Sequence, residues 1–347
     1  MHAYIYSNCD SVRFVPFSRA TPRDESRAAA DYLEQKLGVV APKNLGPLRD
    51  ILALQGMALM NGEPPYMTPD WMHPLCFPLA RDAEGCVVGL LRWPKAKLST
   101  DLPVVRCEPS GQVAILAKTV SDYATRLAAE LDFAESPLSD AAVSLANEGW
   151  PYEKQLEAGS VKNFGRGLER YLILRVGPFP DTYQALARGH LDRRDATSAL
   201  ITAEKACAVF PEFGALHVWQ AAMLSEEPGY GEEARDAARN ALEKPLWTLG
   251  ISSRAQFESL VALAEKKGGL DGYASEYRRL SLEVKATASA DQHTDNAARA
   301  MDEAVLTAAQ SDAAVSWASL RPLLAEAYAK AAVSDVARLC RGLSDAA

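Results

Sequence analysis

The chain has 347 residues, of which 48% are hydrophobic and 24% charged, with a formal net charge of −8. These proportions exclude a disordered chain and, at roughly 150 residues per domain, suggest two domains. No uncharged apolar run reaches about 18 residues, so no membrane span is expected. The acidity argues against broad binding to a nucleic-acid backbone, which needs a basic face.

The charge is uneven: residues 1–100 carry 11 Lys and Arg against 10 Asp and Glu, while the remainder carries 26 against 35. Residues 3–6 and 12–17 are short runs rich in aromatic and branched side chains, suited to a β-hairpin. Thr21-Pro22 then reads as an N-cap followed by proline at the first helical position. The helix over 23–37 places Ala29, Tyr32, Leu33 and Leu37 on one side and stops at Gly38. A second helix, 44–61, has a wide apolar face of Leu48, Ile51, Leu52, Leu54 and Met57, and Gly62-Glu-Pro-Pro ends it. Thr68-Pro69 opens a short helical turn. Residues 75–79 and 86–93 read as strands joined across a loop ending at Gly85.

The candidate chemistry of this region lies in Cys9, Asp10, Arg13, His73, Cys76 and Cys86. His73-x-x-Cys76 followed by Cys86 offers three zinc ligands, with Cys9, Cys107 or His2 as a fourth, but zinc sites use paired knuckles and only one loose pair is present. Buried thiols and a hydrogen-bonded histidine are the simpler reading, and a Cys–His nucleophile would need an adjacency that spacing does not supply. Arg13, Arg19, Arg23 and Arg27 are interleaved with acids, as on a solvated edge. The aromatic and Met residues of 66–73 are suited to packing over the sheet. None of the six cysteines forms a Cys-x-x-Cys pair, which points to free thiols in a reducing compartment.

Residues 94–103, with two prolines and three charges, form a loop, and 104–107 with 112–116 make another hairpin. From Thr119 the apolar period becomes 3.6, with Val120, Tyr123, Ala124, Leu127 and Leu131 on one face. Helices over 136–145 and 164–176 follow, the latter ended by Gly177-Pro178. The expected fold is therefore α+β: a small α+β domain over 1–118, then an all-α domain over 119–347.

Two helix pairs about 35 residues apart fill 182–249. The first has Tyr183, Leu186, Ala187 and His190, then Ala199, Ala206 and Pro211. The second keeps Ala222, Ala234, Ala241 and Pro245, with Ala221 and Ser225 where the first has Leu186 and His190. Small residues at fixed offsets let paired helices approach closely. This pattern resembles the tetratricopeptide repeat (TPR), and the resemblance implies a surface that binds another protein. Helices over 253–267 and 271–286 are broken by Gly268-Gly269, and Thr294 reads as the cap of a helix over 295–309. Leu324, Ala325, Tyr328 and Ala337 repeat the signature weakly, as a terminal unit closing the array.

Residues 170–250 are also similar to repeat proteins of plants and green algae, some of them plastid-targeted. The opening MHAYIYSNCDSVRFVPF has neither a signal-peptide core nor an Arg/Ser-rich transit segment, so the expected location is the cytoplasm or, for a mature form, the plastid stroma. The leading functional expectation is a non-enzymatic scaffold or assembly factor without cofactor or metal. It would bind a protein partner through Arg188, His190, Asp192, His217 and Gln220 on the first helices of the repeats. The alternatives are an enzyme or small-ligand module in the N-terminal domain, with the helices as an oligomerisation arm, or a subunit of a larger complex. No Gly-rich phosphate loop, metalloprotease helix or nucleophile elbow supports the enzyme reading.

Overall fold

A five-stranded antiparallel meander, order β1-β2-β3-β4-β5, stands between two helical layers. The structure is a computed structural model and describes residues 29–60, 69–95, 101–148, 155–283 and 290–341. The hairpin expected over 3–17, the helix start at Thr21, the arginines 13 to 27 and the stop at Gly62 lie outside those residues.

The strands are β1 (Ala58–Leu59), β2 (Cys76–Arg81), β3 (Val87–Leu91), β4 (Val104–Cys107) and β5 (Val113–Ala117). Their registers place Cys76 opposite Leu91, Val87 opposite Cys107 and Val105 opposite Ile115 on one face. Phe77 opposite Leu90, Ala80 opposite Val88 and Val104 opposite Ala117 lie on the other. Because both faces are covered, β3 is buried at every position and reads as a continuous apolar run rather than an alternating one. Pro78 sits where the β2–β3 register shifts, a bulge that accommodates a residue without an N–H.

One layer is built from the π-helical segment Leu33–Leu37 and the helices α1 (Leu45–Leu54), α2 (Val120–Phe133) and α3 (Ser139–Asn147). Leu48, Ile51 and Leu52 of α1 and Ala124, Leu127 and Ala128 of α2 share a core with Phe77, Leu79 and Leu90 of the sheet. Thr119 caps α2, its hydroxyl accepting the Asp122 N–H at 3.0 Å. The helix expected over 44–61 ends at Leu54, and Ala58–Leu59 pairs with β2 instead.

Two short turns, α4 (Ser160–Asn163) and α5 (Leu168–Tyr171), lead into a second π-helical segment, Leu172–Val176. The array follows: α6 (Pro180–Leu191), α7 (Ala196–Val209), α8 (Gly214–Ser225), α9 (Gly231–Leu242), α10 (Arg254–Leu263), α11 (Gly269–Glu283) and α12 (Ala290–Gln310). Pro180 opens α6, the Asp195 carboxylate caps α7 through the Ser198 N–H, and the Ser253 hydroxyl caps α10 through the Gln256 N–H. Ala187, Ala199 and Ala206 are fully buried, as are Ala234 and Ala241. The register of the second unit differs from the expected one: Ala221 is buried and Ala222 is exposed. Helix α8 therefore follows α6 at a spacing of 34, and the longer turn at 226–230 delays α9 by one further residue. Thr294 is also not a cap, because α12 already begins at Ala290 and buries Thr294 within it.

The last pair, α13 (Arg321–Lys330) and α14 (Ser334–Arg341), buries Leu324, Ala325, Tyr328 and Ala337 as its pattern requires. It does not stand at an open end of the array. Asp335 pairs with Arg92 beside β3 at 2.7 Å, Arg338 donates to the Leu37 carbonyl at 2.7 Å, and the pair shares a core with Leu75 and Cys76. The same core holds Val87, Val105 and Val113 of the sheet together with Phe210, Phe213 and Trp247 of the array. Packing is thus continuous across the 118/119 position, where the chain passes from sheet to helices.

Candidate functional site

The centre of the molecule is an aromatic cluster rather than a set of ligands. Trp247 lies in the 3-10 turn Leu246–Thr248, which the Thr248 hydroxyl fixes by accepting the N–H of Gly214 at 2.9 Å. Trp317 is held by the β4–β5 turn: its indole donates to the Gly111 carbonyl at 3.0 Å, and its own N–H to the Asp70 carbonyl at 2.8 Å. His73 lies between these two indoles, with ring centroids at 4.0 Å from Trp247 and 4.7 Å from Trp317. Trp93 packs against Trp247 at 5.1 Å with the rings tilted by 35°, and meets Phe213 edge-on at 5.7 Å.

His73 is fully buried. Its Nδ1 accepts the Leu75 N–H at 3.3 Å, and no described residue meets its Nε2. Burial first, and the Arg321 guanidinium second, hold its pKa well below the ordinary histidine value. It is a neutral ring packed in aromatic surroundings. Burial also pushes the Cys76 thiol well above its ordinary range and raises the Cys86 thiol, so neither is primed as a thiolate.

His73, Cys76 and Cys86 do not converge. Among the described residues, three metal-capable side chains bring ligating atoms within 4.8 Å of one another at Asp82, Glu84 and Cys86. Those carboxylates are already engaged by the Arg106 guanidinium, at 2.9 Å to Asp82 and 2.8 Å to Glu84, and Asp82 also accepts the Cys86 N–H. This is an ion-paired turn between β2 and β3. Cys107 is buried on β4, and Cys9, Asp10, Arg13 and His2 lie outside the described residues.

The residues expected to face a partner separate into two groups. Arg188 and His190 occupy the last turn of α6, and Asp192 is its C-cap. Arg188 and Asp192 are exposed, whereas His190 is half-buried, with its Nδ1 3.5 Å from the Asp195 carboxylate. His217 and Gln220 lie on α8 and turn inward. Gln220 is buried, not exposed, its side-chain carbonyl accepting the Cys207 thiol at 3.4 Å. His217 is half-buried with an enclosed Nδ1, and burial together with nearby Lys244 lowers its pKa to about 4. At the spacing of 34, His217 and Gln220 correspond to Tyr183 and Leu186 of α6, which are themselves half-buried, and Phe213 at the N-cap of α8 and Leu216 within it belong to the core shared with the sheet.

Sequence reasoning missed Asp302. Its carboxylate accepts the Leu246 N–H at 2.7 Å and the Tyr277 hydroxyl at 2.9 Å, joining α11 and α12 to the turn that carries Trp247. Desolvation raises its pKa to about 7 against the two hydrogen bonds, which act to lower it. The residue as a whole keeps some solvent exposure, but both carboxylate oxygens are engaged by inward partners. A helix interior of the pattern A-x-x-M-D-x-x-V offered one cue: an acid on the boundary of the apolar stripe.

Two family models match the chain: the PAB N-terminal domain over residues 27–173 and the PAB middle domain over 180–267. Their junction falls at the second π-helical segment. The chain is 38% identical over 240 residues to "Protein IN CHLOROPLAST ATPASE BIOGENESIS, chloroplastic" of Arabidopsis thaliana, a match that covers 67% of this chain and 70% of that relative. No solved structure matches the chain. No helix among the described residues is long and apolar enough to cross a membrane.

Proposed function

The chain belongs to the PAB family, that of the Arabidopsis Protein IN CHLOROPLAST ATPASE BIOGENESIS, and from that premise we propose that it is a non-enzymatic assembly factor acting in the biogenesis of a chloroplast ATPase. The observation that carries this reading is the 38% identity, sustained over 240 residues. The burial of His73 and Cys76 supports it, since the two residues best placed by type to do chemistry are sealed in the core. A rigid assembly of sheet and helix pairs is suited to holding a partner chain in one orientation, at the cost of few ordered residues on its own side.

In this reading the partner meets the TPR-like array on the exposed side of α6 and its turn, at Arg188, His190 and Asp192. Gln220 braces α8 against α7 through the Cys207 thiol. The plastid stroma is the compartment that goes with this role. The test is genetic replacement. Expressed with a plastid-targeting leader in an Arabidopsis line that lacks the relative, this chain is expected to restore the assembled chloroplast ATPase, measured on native gels. Accumulation of the chain in the plastid without restored ATPase would overturn the proposal.

A further inference from the structure

We propose that the exposed face of the segment 166–175 is a docking surface for an acidic stretch of a protein chain that also carries aliphatic side chains. The inference deepens the assembly-factor reading by giving the chemistry of the partner.

Residues 162–194 carry seven Lys and Arg against three Asp and Glu, in a chain whose net charge is −8. Within that stretch Arg166, Arg170 and Arg175 are all exposed, and none forms a hydrogen bond or ion pair with any described residue. Many of the other guanidinium groups are held by carboxylates: Arg92 pairs with Asp335, Arg106 with Asp82, Arg126 with Glu130, Arg235 with Glu265, Arg254 with Glu258 and Arg278 with Glu303. Arg166, Arg170 and Arg175 are thus three exposed, unpaired arginines within ten residues of chain.

Arg170 and Arg175 lie on the outer side of the helical segment, and Arg166 just precedes it. Tyr171 and Leu172 point into the core and fasten the segment against α2. The turn then widens, and the Gly177 N–H reaches back five residues to the Leu172 carbonyl at 2.9 Å. Leu174 and Arg175 follow Arg170 by four and five residues, about one turn of this widened segment, and all three are exposed. Leu174 is 65% exposed, the most open of the large apolar side chains among the described residues. An exposed leucine flanked by unpaired arginines matches a ligand that brings carboxylates and an aliphatic group together. Guanidinium forks bind carboxylates in a bidentate manner, and the leucine gives the contact an apolar centre. A long polyanion such as RNA fits less well, because its phosphates offer nothing to Leu174 and the chain as a whole carries a net charge of −8.

The test uses the purified full chain and a short fluorescein-labelled peptide of Glu, Asp and Leu, followed by fluorescence anisotropy. The wild-type chain is expected to bind it, and more weakly as salt rises, because exposed charges are screened. The triple reversal Arg166→Glu, Arg170→Glu, Arg175→Glu is expected to weaken binding at least about tenfold. Leu174→Ser should weaken it severalfold without changing the salt dependence. The control reversal Lys205→Glu, Lys266→Glu, at exposed sites elsewhere, should leave binding unchanged. If the triple reversal alters the melting curve, Arg→Gln at the same positions replaces it. Absence of binding, or equal loss in the control, overturns the proposal. So does equally tight, Arg170-dependent binding of a single-stranded oligonucleotide. The readout does not involve the ATPase, so the peptide experiment and the genetic replacement fail independently.

Discussion

At the scale of single residues, two positions show how neighbours distant in sequence decide the role of a side chain. A Cβ added to Gly89 would lie 2.5 Å from the Phe77 carbonyl oxygen in the adjoining strand. Backbone cannot yield as a flexible side chain can, so Gly89→Ala is expected to destabilise the protein by about 1–3 kcal/mol, seen as a lower urea midpoint. Asp302 and His217 titrate in opposite senses. Burial raises the Asp302 carboxyl from 3.8 to about 7, so between those values the folded state binds more protons than the unfolded one. Its contribution is fully present below pH 3.8 and is lost as the pH rises through 7. Burial lowers His217 from 6.5 to about 4, so its contribution is fully present above 6.5 and is lost as the pH falls through 4. Over the shared window the two slopes oppose each other and flatten the stability profile. Asp302→Asn should therefore gain stability relative to the parent as the pH climbs from 4 to 7, by a few kcal/mol at most, and His217→Gln should gain as it falls. Thermal melts across that range check both; parallel profiles for Asp302→Asn and the parent would refute the assignment.

At the scale of elements, α14 decides how the chain closes on itself. The Arg92–Asp335 pair leaves only 6% and 9% of the two side chains exposed, and Arg92 also donates to the Trp93 carbonyl. Such a pair contributes little net stability when intact, because desolvation offsets attraction, but removing one partner strands a buried charge. Asp335→Ala is expected to cost about 3–5 kcal/mol, whereas the double change Arg92→Met, Asp335→Leu should recover much of the loss in the same urea titration. The helices were legible in the sequence because each keeps one apolar stripe: the face of Val120, Tyr123, Ala124 and Leu127 is the buried face of α2. Strand β4 was legible for its short branched run. What was not legible is where the stripes point. The weak copy at 321–341 has the composition of a closing repeat, and nothing local to Asp335 indicates that its partner lies 243 residues away. Nor does the His73–Cys76 spacing reveal the two tryptophans that enclose His73, which come from the array and from the segment after α12. The basic face of 166–175 was equally hidden, since periodicity gives the spacing of Arg166, Arg170 and Arg175 but not their freedom from carboxylates.

At the scale of the whole molecule, the change of period at Thr119 and the junction of the two family models near residue 176 mark different events. The first is where strands give way to helices; the second is where the layer on α1 and α2 gives way to the array. Neither interrupts the packing. Val87, Val105 and Val113 of the sheet share a core with Phe210, Phe213 and Trp247, and Trp93 from one side of Thr119 packs at 5.1 Å against Trp247 from the other. A fragment cut at 118/119 would expose that sheet face in one piece and the aromatic cluster in the other, and buried apolar surface contributes roughly 25 cal/mol for each Å². The asymmetric environment of the indoles therefore depends on both pieces. Near-ultraviolet circular dichroism of the intact chain should show structured tryptophan bands that disappear together with the far-ultraviolet helical signal at one urea concentration. The separate fragments 1–118 and 119–347 should lack those bands, with the second keeping part of its helicity, since the contacts within each helix pair stay inside it. Mixing the fragments should bring the bands back. A 119–347 fragment that melts cooperatively and shows the full tryptophan signal alone would mean that the array is self-sufficient and the sheet merely rests on it.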